Sequence, residues 1–264
     1  MGSAGYDNIK IAVRDLTKLF SNNSHNLHAL EAINLEVGEG EFFCLLGPSG
    51  CGKSTLLNIM AGFEKPTAGK VLIGGEEIKA PNPRYVTVFQ DYGIFPWRTV
   101  QENVEFGLEI KGVNGSEREN IAKEFIKLVG LCGFEKRHPY ELSGGMKQRV
   151  SLARALAVNP EIIFMDEPFG AVDALTRMKL QEELVKIWGK ENKTIIFVTH
   201  DIDEAIYLGD RIAVMTPVPG KIKSILEVTM SRPRIRTGSD FLGIKEKIYS
   251  EFFGLEKCQQ KVKL

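Results

Sequence analysis

A short run near residue 50 carries the strongest chemical signal in the chain. Gly47-Pro48-Ser49-Gly50-Cys51-Gly52-Lys53-Ser54 fits the pattern G-x-x-x-x-G-K-[ST] without a mismatch. Polyphosphate concentrates several negative charges in a small volume. Glycines let the main chain approach closely enough to surround it with N–H groups, and the N-terminus of a following helix adds a favourable dipole. In such a loop Lys53 reaches the β- and γ-phosphates and the Ser54 hydroxyl ligates Mg²⁺. Thr55 opens the helix and completes the set.

A second run, Ile162-Ile163-Phe164-Met165-Asp166-Glu167, places two carboxylates after four apolar residues. The end of a buried strand points out of a sheet's C-terminal edge, where ligands sit in open α/β folds. There Asp166 serves the Mg²⁺ shell, and Glu167 orients or polarises an attacking water. Taken alone, the run is equally a solvated acidic strand end; the phosphate loop upstream favours the chemical reading. A third run is Leu142-Ser143-Gly144-Gly145-Met146-Lys147-Gln148-Arg149. Ser143, Gly144 and Gly145 at a helix N-terminus offer a hydroxyl and N–H groups to a second phosphate, although Ser-Gly-Gly by itself is an ordinary helix-entry turn.

These residues need elements to hold them. Ile9, Ile11 and Val13 alternate with polar neighbours as in a half-buried strand. Phe42–Leu46 is a continuous apolar run, as in a strand covered on both faces, and it leads through the glycine turn into a helix over Thr55–Ala61. Val71–Ile73 with Gly74-Gly75 reads as a strand entering a hairpin, and Val86–Phe89 as a further apolar stretch. Ser116 and Glu119 form a capping box that opens a helix, a second helix spans Gly145–Val158, and Ala174–Trp188 is a third, closed by Gly189. Ile162–Met165, Ile195–Val198, Ile212–Met215 and Ile222–Val228 read as strands, the last two flanking a Pro217–Gly220 turn. Strand and helix alternate at both ends around a mostly helical block near residues 91–157, which predicts a parallel α/β core with an inserted helical subdomain. A tail from Ser231 ends in a helix near Asp240–Phe253.

The bulk properties narrow the class. The 264 residues carry 34 Lys plus Arg against 34 Asp plus Glu. A chain with zero formal net charge lacks the basic footprint of a non-specific nucleic-acid binder. Met1–Asn8 has no signal-peptide character, with Met1–Gly5 set aside from the fold reading, and no run of about 18 apolar residues is long enough to span a bilayer. Cys44, Cys51, Cys132 and Cys258 show no metal-type spacing and read as reduced cytosolic thiols.

The run Leu142–Arg149 resembles the LSGGxxQR signature of ABC transporter ATP-binding subunits. The resemblance covers about residues 9–230 and extends to positions that are weak alone. Gln90, in Val-Phe-Gln-Asp, matches the Q-loop glutamine that senses Mg²⁺ and the γ-phosphate. Asp173 matches the D-loop aspartate, with Val172 where the family more often has leucine. His200, in Val-Thr-His-Asp, matches the switch histidine that contacts the γ-phosphate; a lone histidine there is more often structural. Phe20 matches the aromatic that stacks on adenine, and a core aromatic is the other reading. Phe95-Pro96-Trp97, Asp166–Ala174, Leu175-Thr176-Arg177, Asp201–Ala205, Pro219–Ile222 and Arg232-Pro233-Arg234 further resemble the nitrate, sulfonate, taurine and bicarbonate import subfamily, which more often has arginine where Lys221 stands.

The resemblance implies a P-loop NTPase (RecA-like) α/β core with a mainly parallel sheet over 1–90 and 158–230. It also implies an N-terminal antiparallel β element, a helical subdomain over about 91–157 and a C-terminal tail over 231–264. It implies ATP and Mg²⁺ as ligands and a head-to-tail homodimer. Each ATP is then held by Lys53, Ser54, Gln90, Asp166 and His200 of one chain and by Ser143 to Gly145 of the other. Transmembrane permease subunits are the implied direct partners, a periplasmic or extracellular substrate-binding protein is an indirect one, and no nucleic acid is expected. The implied place is the cytoplasmic face of the cell membrane, as a peripheral subunit. Tyr92, Phe95 and Trp97 suit a docking pocket for the permease or, equally, satellite packing of the helical block. Alternatives are an ABC ATPase for another substrate, a non-transport ABC ATPase, and a nucleotide-binding regulator without turnover; intact Glu167 and His200 speak against the last.

Overall fold

Hydrophobicity without alternation decides the centre of the fold. Strand β3 (Phe42–Leu46) and strand β8 (Thr194–Thr199) are buried at every position, as strands covered on both faces must be. In the computed structural model, which describes residues 8–22 and 25–253, they belong to the first of two units. That unit comprises Met1–Asn82 with Thr194–Leu264, and the second comprises Pro83–Lys193. Within the first unit β3 runs parallel to β8 and, on its other side, to β9 (Arg211–Met215). Strand β10 (Ile222–Glu227) closes that edge antiparallel to β9. Buried Glu41 accepts hydrogen bonds from Arg211 at 2.7 and 2.8 Å and from the Gly38 N–H at 2.7 Å, tying the entry of β3 to β9.

The expected antiparallel element is present in the same unit. Strand β1 (Ile9–Asn22) lies between β2 (His25–Gly38) and β4 (Ala68–Ile73), and β4 turns into the short β5 (Glu76–Glu77). Register shifts between Val13 and Leu16 accompany a left-handed Asp15 at φ 46°, as where an extra residue twists a strand. The calls on Met1–Gly5 and Cys258 lie outside the described residues. Cys44, Cys51 and Cys132 are free thiols.

The second unit pairs β6 (Tyr85–Val88) with β7 (Ile162–Asp166) in parallel. Helices α2 (Val100–Ile110), α3 (Gly115–Leu128) and α4 (Gly144–Ala157) pack on one another, and α5 (Ala174–Glu191) follows β7. Two sequence expectations need correction. The cap of α3 is Asn114, whose side chain accepts from the Glu117 N–H at 3.0 Å, so Ser116 lies inside the helix and forms no capping box with Glu119. Asn114 wins because an Asx oxygen two positions earlier reaches the same first-turn donors. Gly189 does not close α5; the helix runs to Glu191 and ends at Asn192, left-handed at φ 49°. A glycine is tolerated in a helix, and the αL position one turn later satisfies the final carbonyls.

Candidate nucleotide site

In the first unit β3 delivers the chain at Gly47, which is buried, while Pro48, Ser49 and Gly50 are exposed. Helix α1 (Lys53–Met60) then starts from Gly52 at φ 96°, with no side-chain cap. A Cβ at Gly52 would stand 2.7 Å from Leu30 Cδ2 and 3.0 Å from the Ala29 carbonyl. Conformation and close approach therefore both demand glycine here. Lys53 is 4% exposed and folds back over the loop, donating to the carbonyls of Gly47 at 2.8 Å and Pro48 at 2.9 Å. Ser54 and Thr55 follow it in the first turn, half-buried. The result is an exposed turn with a lysine ammonium inside its curve and a helix start that no side chain caps. Those are the features a polyphosphate needs, so the residues present fit ATP. Cys51 lies inside the same loop with its Sγ 3.9 Å from Lys53 Nζ. Burial raises its pKa, against the lowering pull of Lys53, so it remains a neutral thiol at neutral pH.

The strand register brings His200 to the same edge. Leu46 pairs with Thr199 at the ends of β3 and β8, so Gly47 and His200 are the next residues of two adjacent parallel strands. His200 is exposed. The turn that holds it is well braced. Thr199 Oγ1 donates to Glu204 at 2.6 Å and accepts from the Asp201 N–H at 3.0 Å, and Asp201 caps helix α6 (Ile202–Leu208). Phe20 on β1 is 38% exposed with Lys18 Nζ 4.7 Å from its ring centroid, which rules out the core-aromatic reading.

In the second unit Val88 pairs with Met165 at the ends of β6 and β7. Gln90 and Glu167 therefore lie two residues past the same register pair, at one sheet edge with Asp166. Gln90 is exposed, Asp166 is buried and Glu167 is half-buried, its backbone left-handed at φ 46°. Ser143 caps α4 by accepting from the Met146 N–H at 3.3 Å, and Ser143 and Gly144 are exposed. Asp173 caps α5 by accepting from the Thr176 N–H at 3.0 Å. That backbone hydrogen bond, followed by the Thr176 side chain, holds its carboxyl below the usual range.

Comparisons with known proteins decide the family. A family model described as ABC transporter matches residues 30–170. An uncharacterized ABC transporter ATP-binding protein of Methanocaldococcus jannaschii is 57% identical over 240 residues, covering 91% of this chain and 90% of the relative. The chain is an ATPase of the ABC transporter family. An aliphatic sulfonates import ATP-binding protein of Bacillus thuringiensis subsp. konkukian is 44% identical over 242 residues, 92% of this chain and 95% of the relative. Among solved structures, a dimeric post-hydrolysis ATP-binding cassette bound to ADP and Pi matches with a TM-score of 0.78 at 35% identity, covering 84% of this chain and 100% of that one. The fold is accordingly the P-loop NTPase α/β fold of ABC cassettes.

This ABC ATPase contains positioning groups to which the sequence reading gave no role. Gln148 is buried and bridges two segments, donating through Nε2 to the Glu167 carbonyl at 2.8 Å and accepting the Ala171 N–H at 2.8 Å. Gly145 lies so near that a Cβ there would stand 2.7 Å from the Ala171 carbonyl. Gln148 was visible in the LSGGMKQR run, but nothing in a sequence says where a buried amide points. A second such group is Asn103. Its Oδ1 accepts the Phe95 N–H at 2.7 Å, and its Nδ2 donates to the carbonyls of Phe95, Arg98 and Thr99 at 2.9–3.1 Å. The loop it pins divides the two readings of its aromatics. Phe95 packs on Phe106 at 4.5 Å between ring centroids, whereas Trp97 is 71% exposed.

Proposed function

We propose that this ABC ATPase powers an importer for a small anion such as nitrate, a sulfonate, taurine or bicarbonate. The observation that carries this reading is the 44% identity to the sulfonate-import ATPase over 92% of this chain. In this reading two copies associate head to tail, a state supported by the dimeric form of the solved cassettes. Lys53 and the amides of Gly47–Thr55 hold the phosphates, and Phe20 stacks on adenine. Ser54, Gln90 and Asp166 hold Mg²⁺. Ser143, Gly144 and Gly145, with Asp173, complete the site from the second copy. Bound MgATP supplies the phosphoanhydride whose cleavage drives the cycle. Glu167 orients and polarises the attacking water, and His200 steadies the terminal phosphate, so catalysis is chiefly positioning and charge stabilisation. The helical block over 91–157 receives the permease subunits on the cytoplasmic face of the membrane, and a substrate-binding protein acts through the permease. Among the described residues no helix is long and apolar enough to cross a membrane, so in this reading attachment is through the permease.

Two experiments test this. Mg²⁺-dependent ATP hydrolysis should rise in specific activity with protein concentration, and Glu167→Gln should bind ATP, stall as a dimer and lose at least about 100-fold in turnover. Activity independent of concentration in a proven monomer would reject the shared site. For the substrate class, deleting the gene in its host should abolish uptake of one labelled anion among nitrate, alkyl sulfonate, taurine and bicarbonate. Unchanged uptake of all four rejects the anion-importer reading.

A further inference from the structure

Helix α6 starts at the Asp201 cap directly after His200 and has only seven residues. Helices this short do not hold themselves in water, so the position of α6 is set by what grips its ends. Both ends are gripped by the C-terminal segment, which belongs to the same unit. At the C-terminal end, Arg234 donates to the carbonyls of Ile206 at 2.7 Å and Gly209 at 2.6 Å, and to that of Val228 at 3.1 Å. The first two are the acceptors that a helix end leaves without partners, and a planar guanidinium serves several at once. The Arg234 side chain is buried. Burial lowers its pKa to about 10, which leaves it charged at neutral pH. Beside it Arg232 donates to Asp210 at 2.5 Å and to the Leu208 carbonyl. Asp210 accepts the Phe42 N–H at 2.9 Å, at the start of the strand that feeds the phosphate loop.

The other end of α6 is held from α7 (Ser239–Phe253), where Lys245 forms an ion pair with Asp203 at 2.7 Å in the first turn of α6. The Arg236 guanidinium lies 3.9 Å from the Tyr207 ring centroid, on the same helix. Helix α7 is itself anchored by Phe241 and Ile248, both fully buried. Cationic side chains thus bracket one short helix at both ends, and that helix begins next to the proposed γ-phosphate contact.

We propose that residues 231–253 are a positioning clamp, in which Arg234 and Lys245 fix α6 and, through its Asp201 cap, the placement of His200. The clamp is a device for turnover and not for nucleotide affinity. It rests on the reading of His200 as a phosphate contact. Misplacement of a reacting group by about 1 Å can cost up to 100-fold in rate, so a partial loss of the clamp is measurable.

The test uses the full chain. Arg234→Ala removes a buried group and tests folding as much as placement, so the partly exposed Lys245–Asp203 pair carries the experiment. Lys245→Ala should lower kcat by about threefold or more with KM for ATP within about twofold, the signature of an interaction realised in the transition state. The His200 imidazole resonances, assigned with His200→Ala, should shift in Lys245→Ala with a non-hydrolysable ATP analogue bound, and Lys245→Arg, which keeps a cation opposite Asp203, should retain both wild-type readouts. In the His200→Ala background Lys245→Ala should cost no further rate, because both act through one group. The clamp is overturned by wild-type kcat with unmoved His200 resonances in Lys245→Ala, or by fully additive losses in the double variant. Wild-type kcat in His200→Ala, with the resonance shift in Lys245→Ala still seen, instead overturns the role given to His200.

Discussion

Helices α1 and α4 both begin at glycine-rich turns, and their first turns are finished in opposite ways. The start of α1 has no side-chain cap, Gly52 stands where a capping residue usually does, and Lys53 folds back over the loop. The start of α4 is finished internally: the Ser143 hydroxyl accepts the Met146 N–H, and Gln148 one turn on ties the helix to the segment after β7. One helix start carries no side-chain cap and has a lysine ammonium beside it. The other is capped by its own serine and presents Ser143 and Gly144 at the surface. The first arrangement suits strong binding of a polyphosphate by one chain. The second suits a surface that meets an already bound phosphate, as the two-chain reading requires.

The most damaging way to break the contrast is Lys53→Ala. It removes the ammonium and its two carbonyl contacts, and ATP affinity should fall by about 100-fold or more in a fluorescent-nucleotide titration, since charge-assisted contacts to phosphate are the strong ones. Gln148→Ala comes next and should act differently. Nucleotide affinity should stay within about twofold, while unfolding free energy drops by about 1 kcal/mol, because two part-buried hydrogen bonds of the Gln148 amide are lost. Turnover should fall with it by about tenfold, because Glu167 loses a fixed backbone. Equal losses of affinity in the two variants would erase the distinction between the helix starts.

Ser143→Ala sharpens the comparison at smaller scale. It should cost about 1 kcal/mol in denaturant unfolding, without weakening ATP binding by the isolated chain. The smallest expected effect comes from a helix start outside the nucleotide residues. Thr99 and Glu102 form a reciprocal capping box on α2. The Thr99 N–H, then its hydroxyl, hold the Glu102 carboxyl below its usual value of 4.5. A depressed folded pKa adds stability that is present above the unfolded value and is lost as pH falls through the folded one. The stability difference between wild type and Glu102→Gln should therefore shrink as the pH of the unfolding assay is lowered from 6 towards about 3.

Local signals explain what was legible. Phe42–Leu46, Gly47–Ser54 and Ile162–Glu167 announce themselves because strand hydrophobicity, glycine spacing and paired carboxylates are properties of neighbours in sequence. The capping box at Thr99 and Glu102 is equally local, but it was hidden by the breakers Pro96 and Gly112 on either side. At Ser116 and Glu119 the right residue types stood two positions inside a helix already capped by Asn114. The ends of the chain were harder still. Pairing of β1 with β2 depends on contacts between residues as far apart as Ile9 and Gly38. The role of Arg234 depends on carbonyls more than 20 residues away. Motif spacing points to the groups proposed to face phosphate; it is blind to the side chains that aim them.

Asn103 leaves one practical consequence. It fixes the backbone on both sides of Pro96, and there Trp97 holds its ring centroid 5.5 Å from that of Phe95 while staying 71% exposed. Trp97→Ser should therefore leave unfolding free energy within about 0.5 kcal/mol of wild type and the nucleotide residues untouched, because the ring it removes is mostly in water.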